Sequence, residues 1–419
     1  MRVIDLDLRL VDAIADQLAD PEHVAGAVRA APWWRQSLAH GMPGVALLHI
    51  ERAATGLDRW DRADAWLAAA VRGAVTAGPD SHPYYGVPAV AHALRCANEH
   101  RPTAYQGALA TLDRQLDRDI RRRLDDANAR LDADAPPRLA DFDAIHGLTG
   151  YGTYLLHRNH DTTLLRAVLA YVVRLARPRQ TEDGELPGWW VPTGPAGRAD
   201  PKFPHGHANT GVAHGITGPL ALLALAAQRG ITVPGQTAAL KTICAWLDRW
   251  HTETAWPYWI TPAELHAGRS CITQPVRPSW CYGVAGVARA QQLAALALAD
   301  TTRQRHAEHT LAHALTDPGQ LAATTDPSLC HGFAGLAYLA ARTAFDAPAG
   351  TADRLRAALP DLISRVTSEP ADPAQVAHRL ITDPERGAGL LDGAAGIALA
   401  LHGTTALPAS SWDSCLLIA

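Results

Sequence analysis

Cysteine is too scarce in this chain to build a framework: there are six in 419 residues. Each is expected to stay reduced and to be explained singly, as packing, chemistry or a metal ligand. An export signal is also missing. The opening MRVIDLDLRLVDAIADQLAD alternates acids with aliphatics, where a signal peptide has a basic start and a continuous apolar run. No long hydrophobic run follows. The longest, PLALLALAA from Pro219 to Ala227, is about half of the roughly 20 residues that cross a bilayer. These absences exclude membrane insertion and lead us to expect a soluble, cytoplasmic protein. There is no basic excess either: 38 Lys and Arg face 42 Asp and Glu, a net charge of -4, so no overall field draws the chain to nucleic acid. What the chain has in quantity is apolar residue, 47% of the total, enough to bury a large core.

One short pattern returns along the whole length. It reads HGMPGVALL from His40, YGVPAVAHAL from Tyr85, HGLTGYGTYLL from His146, HGITGPLALLAL from His214, YGVAGVARA from Tyr282, HGFAGLAYLAA from His331 and DGAAGIALAL from Asp392. Six copies carry Gly-x-x-Gly, and the second has Ala89 in place of the later glycine. The first glycines lie 45 to 68 residues apart, room for two helices and a loop. Each apolar Ala/Leu run predicts a buried helix, and segments such as 111–131 predict an amphipathic outer one, while strands are scarce. The first glycine should permit a tight loop entering the helix, and the second should let neighbouring helices approach. The terminal copies are as apolar as the central ones, unlike the polar caps of an open solenoid. Closure is therefore expected: an all-α fold, an α/α toroid or barrel of seven helical hairpin repeats, with the Gly-x-x-Gly loops at one end. We expect a single domain over 1–419, with a possible small insertion around 96–140.

Residues flanking the glycines would then converge on one cavity, and there the copies differ. Cys281 precedes Tyr282-Gly283, while Cys330 and His331 precede Gly332. Cys281 alone reads equally as buried packing. With the adjacent pair at the next repeat, two thiolates and one imidazole make three ligands for Zn²⁺, the fourth position left open as in catalytic sites. His214 occupies the same slot as His331 without a cysteine before it; His40 and His146 share that slot, so a loop-bracing role is equally open.

The stretches SWCYGVAG, LCHGFAG and NTGVAHGITG resemble the signature motifs of the lanthionine synthetase C family, the cyclases of lanthipeptide biosynthesis. The likeness spans all seven repeats and extends to the terminal SWDSCLLIA. It implies an α/α toroid with zinc held by Cys281, Cys330 and His331, adding a peptide cysteine thiol to a dehydroalanine or dehydrobutyrine of the same peptide. It maps the family's catalytic histidine onto His214 and its active-site aspartate onto Asp143, and it places Arg277 and Tyr282 near the metal. Asp143 alone reads as a helix cap and Arg277 alone as a surface residue.

The resemblance further implies a dehydrated precursor peptide as substrate and, since the chain opens and closes on cyclase repeats, a dehydratase supplied as a separate protein. Two alternatives stay open: a relative that binds glutathione or adds it to dehydroamino acids, and a non-enzymatic scaffold. Glycosidase chemistry on such a toroid needs facing carboxylates, yet Asp392 is the one acid among the pre-glycine positions. The Trp- and Pro-rich loops 184–195 and 255–262 read as apolar plugs or as a surface for an extended peptide. The charged segment 111–135 reads as a solvated helix or a leader-peptide dock. Cys96, Cys244, Cys271 and Cys415 have no setting for chemistry, and His205 and His207 read as solvated loop residues.

Overall fold

Each of the seven glycine elements starts a helix. The computed structural model describes residues 3–28, 30–182, 184–272, 274–367 and 372–419. The helices run Met42–Ala54, Val87–His100, Leu148–Arg158, Thr217–Gln228, Val284–Leu298, Phe333–Asp346 and Ala394–Gly403. In six of them the first glycine is the residue just before the helix; in the fourth the loop runs on, and Ile216 takes that place. Their opening turns are buried almost throughout, which matches their Ala/Leu content.

The second glycine does something other than expected. A Cβ on Gly44, Gly286, Gly335 or Gly396 would meet the backbone carbonyl oxygen of Leu38, Trp280, Leu329 or Leu390 at 2.2, 2.1, 2.0 and 1.6 Å. Each carbonyl lies six residues earlier in the same loop. At these four positions the glycine therefore lets the loop fold back onto the first turn of its own helix, and helix-to-helix approach is not its main reason. Among the first glycines, Gly86 and Gly283 have positive φ, +74° and +124°, which side-chain-bearing residues rarely adopt.

The chain divides into two compact units, Met1–Leu116 with Thr324–Asp413, and Asp117–Ala323 with Ser414–Ala419. In the first unit the glycine loops are stitched by backbone hydrogen bonds: Cys330 N donates to Leu391 O, Leu391 N to Ala39 O, and Leu38 N to Tyr84 O, at 2.8 to 2.9 Å. The seventh loop thus joins the first. In the second unit Ala144 N donates to Ala213 O at 3.0 Å and Val212 N to Cys281 O at 3.1 Å, linking the third, fourth and fifth loops.

The segment around 96–140 folds as one long helix, Pro102–Asp132, followed by the short Leu139–Phe142. Leu109, Leu116, Ile120, Leu124 and Ala127 form its buried stripe, so the amphipathic pattern is a packing face. Strands among the described residues amount to two small antiparallel ladders, Arg179–Thr181 with Gly184–Leu186 and Ala208–Asn209 with Trp259–Ile260. Of the tryptophans in 184–195 and 255–262, Trp189, Trp190 and Trp256 are buried and Trp259 is half-buried, which favours the plug reading for the first three.

Candidate active site and metal donors

Asp143 terminates the helix Leu139–Phe142 and is fully buried. Its Oδ1 accepts from His146 N at 2.6 Å and Gly147 N at 2.8 Å, capping the turn into Leu148–Arg158. Its Oδ2 points the other way. There it accepts from His214 Nδ1 at 2.6 Å, and His146 Nδ1 lies 3.4 Å from the same oxygen. One carboxylate therefore serves as both cap and histidine partner. Burial pushes its pKa up, but the hydrogen bonds from His146 and His214 outweigh burial and hold it at about 2. The two imidazoles stack, with centroids 5.6 Å apart and 19° between planes.

The loop carrying His214 is tied to the loop carrying Cys281, whose carbonyl accepts from Val212 N and Ala213 N at 3.1 and 3.4 Å. Asn209 adds a second tie. Its Oδ1 accepts from Gly211 N and its Nδ2 donates to Tyr282 Oη, both at 3.0 Å, and the Tyr282 ring lies 6.3 Å from that of His214. Tyr258 donates to the carbonyl of Arg277 at 3.0 Å. Burial raises the Tyr258 pKa, and the nearby Arg277 guanidinium partly offsets the rise. Nε of Arg277 is itself buried with no hydrogen-bond partner among the described residues. Asp143, His214, Arg277, Tyr282 and Cys281 all belong to this second unit. Cys281 is buried, its Sγ 3.7 Å from Ser279 Oγ.

In the first unit, Cys330 and His331 sit side by side in the sixth glycine loop. Cys330 is buried, and its N–H is fixed by the seventh loop. His331 lies between two carboxylates: Nε2 is 3.4 Å from Asp326 Oδ2 and Nδ1 is 3.5 Å from Asp392 Oδ1. Asp326 is held in turn, its Oδ1 accepting from Ser328 N at 2.8 Å. The first unit thus offers a thiol and an imidazole, and the second unit the thiol of Cys281, donor types that suit zinc.

Sequence reasoning missed the partners of these residues. Asn209 and Asp326 gave no signal, being common loop residues. In the sequence Asp392 stands out only as an acid in a pre-glycine slot, and His146 only as another histidine in the slot of His214. His207 is buried rather than solvated; its Nδ1 lies 2.9 Å from Thr193 O, and burial holds its pKa down at about 4. Cys96 and Cys244 are buried and Cys271 exposed.

The chain belongs to the lanthionine synthetase C-like family: a family model described as "Lanthionine synthetase C-like protein" matches residues 32–417. Among curated proteins it is similar to the nisin biosynthesis protein NisC of Lactococcus lactis subsp. lactis, 25% identical over 241 residues, 55% of this chain and 55% of that protein. The match thus spans about half the length of that relative. A solved structure of nisin cyclase is similar over 99% of this chain and 98% of its own, with a TM-score of 0.77 and 20% identity. That likeness shows the fold, the α/α toroid expected from the seven repeats.

Proposed function

We propose that this chain is a zinc-dependent lanthipeptide cyclase, joining cysteine thiols to dehydroalanine or dehydrobutyrine residues of a dehydrated precursor peptide to form (methyl)lanthionine rings. Family membership and the name of the nisin cyclase support the reaction class. The observation that carries it in this chain is the Asp143–His214 pair at 2.6 Å, on a loop tied to that of Cys281.

The donor chemistry fits zinc: two thiolates and an imidazole are three protein ligands of the kind that leave a fourth position for substrate. Cys281, Cys330 and His331 would hold the ion, which supplies a deprotonated, nucleophilic substrate thiol at neutral pH. His214 then donates a proton to the α-carbon of the dehydro residue after the new C–S bond has formed at its β-carbon. With Nδ1–H committed to Asp143, the proton available for transfer is the one on Nε2. Arg277, a half-buried cation in the same unit as Asp143 and His214, would stabilise through its guanidinium the negative charge that develops on the peptide carbonyl oxygen. Tyr282, fixed by Asn209, walls the site beside His214. A separate dehydratase would supply the peptide in the cytoplasm.

The test is metal content and ring formation measured on the same samples. The purified protein is expected to carry about one zinc per chain, a site retained by three protein ligands. Cys281→Ala and Cys330→Ala are each expected to lose zinc and cyclisation together, scored by alkylation of unreacted cysteines and mass spectrometry beside a no-enzyme control. Loss of activity with full zinc retention would show the ligands to be misassigned. Addition of free glutathione in preference to ring closure would move the chain to the glutathione-using reading.

A further inference from the structure

His146 plays no part in the reaction just described, yet its Nδ1 reaches the same buried oxygen of Asp143 as the proton donor does, at 3.4 Å against 2.6 Å. Two imidazole nitrogens and one carboxylate oxygen, all within 4.8 Å of one another, make a donor set in their own right. We propose that Asp143, His146 and His214 form a second, weaker site for a divalent metal of the zinc class, and that filling it switches off His214.

The geometry is close to what a metal needs. Zinc–nitrogen and zinc–oxygen bonds of about 2.1 Å put tetrahedral ligand atoms about 3.4 Å apart. The His146–Asp143 separation already has that value, and the His214–Asp143 separation must open by about 0.8 Å, the difference between 3.4 and 2.6 Å. Asp143 is anchored by two backbone N–H groups on its other oxygen, so opening falls to the two rings. Both rings reach solvent, with side chains 44% and 26% exposed for His146 and His214, which gives an ion a way in. Imidazole and carboxylate oxygen suit Zn²⁺, whereas the thiolates of the first site are softer, so the first site fills first.

The chemical consequence is a change of tautomer. A neutral ring that gives Nδ1–H to Asp143 must move that proton to Nε2 to offer Nδ1 to the metal; a protonated ring releases one proton instead. In either case the Nε2–H of a metal-bound, otherwise neutral imidazole is a poor acid, and Asp143 is no longer its partner. Excess zinc should therefore inhibit without touching Cys281, Cys330 or His331. The binding claim stands on geometry alone, while inhibition rests on the function proposed above.

The experiment titrates cobalt(II) into metal-free full-length protein, followed by absorption. The first equivalent should give the strong sulfur-to-cobalt charge-transfer band of a thiolate site, and a second should add only weak ligand-field bands from nitrogen and oxygen donors. His146→Gln and His146→Phe, the latter keeping the ring stack, should weaken the second equivalent at least about tenfold and leave the first unchanged. In cyclisation assays, zinc beyond one equivalent should inhibit the native protein and should not inhibit either variant, each measured against its own activity at one equivalent. Saturation at one metal, or second-site binding unaltered in both variants, would overturn the proposal. Second-site binding in a protein that forms no rings would leave the site standing and remove the cyclase reading.

Discussion

Asp143 concentrates three requirements in one side chain, and they can be separated by substitution. Asp143→Asn keeps an oxygen for the backbone N–H groups of His146 and Gly147 but turns an amide N–H toward His214 Nδ1. The ring must then accept at Nδ1, and cyclisation is expected to fall by about a hundredfold, the scale of lost general acid catalysis. His214→Asn should cost as much while the protein still folds, retains zinc and binds dehydrated peptide; cyclisation near the native rate would return His214 to loop bracing. Asp143 also predicts a pH effect on stability. Its carboxyl is held down at about 2 against an ordinary 3.8, so the folded state binds its proton later than the unfolded one. The contribution, roughly 2 kcal/mol, is complete above pH 4 and is lost as pH falls through 2. The stability gap between native protein and Asp143→Asn in urea unfolding should accordingly narrow from pH 5 to pH 2. A gap independent of pH would mean that the carboxylate is not the charged partner of the two histidines.

At the scale of the element, the helix starts were legible because glycine and the apolar run after it recur as a unit, and local chemistry decides where a helix begins. The reason for the second glycine was not legible. A loop carbonyl over the first helical turn leaves no periodic trace in sequence, and neither does the pairing of Ala208–Asn209 with Trp259–Ile260 some fifty residues away. The same holds at the site: Cys281 and Cys330 stand out as rare residues two positions before a repeat glycine, with His331 marked only by the cysteine beside it, whereas Asn209 and Asp326 are ordinary loop residues whose settings come from what they face. The glycine finding predicts opposite signs for one substitution. In a helix, Gly→Ala ordinarily stabilises by about 0.5–1 kcal/mol. Gly107, inside Pro102–Asp132, has nothing within 4 Å of an added Cβ, and Gly107→Ala should follow that rule. Gly286→Ala would drive a methyl to 2.1 Å from Trp280 O, and the clash should reverse the sign to a loss of about 1–3 kcal/mol. Thermal melts of the two variants decide it; stabilisation by both would show that the loop has room.

At the scale of the whole molecule, the last residues serve each unit separately. Trp412 is buried in the first unit, stacked on Tyr338 at 5.2 Å, while Tyr338 Oη donates to Asp413 Oδ2 at 2.6 Å. In the second unit, Leu416 O accepts from Trp280 Nε1 and Ile418 O accepts from Arg289 Nε, both at 2.9 Å. Arg289 is 2% exposed, and a buried chain of bonds continues from its guanidinium: Nη1 donates to Gln292 Oε1, and Gln292 donates to Glu308. Deleting 414–419 removes a carbonyl from a buried charge and another from the residue just before Cys281. Losing a hydrogen bond to a charged group costs about 1.5–3 kcal/mol, and Trp280 loses its partner as well. Stability in urea should therefore drop by at least about 2 kcal/mol. Trp280 adjoins the Cys281 donor, so zinc retention against a chelator should fall with it, whereas a purely global loss would leave the folded fraction holding zinc as before. The two are separated by measuring metal competition well below the unfolding transition. Equal zinc affinity there would confine the tail to stability, and a deletion that unfolds like the native protein would show that the tail bonds to Arg289 and Trp280 contribute nothing.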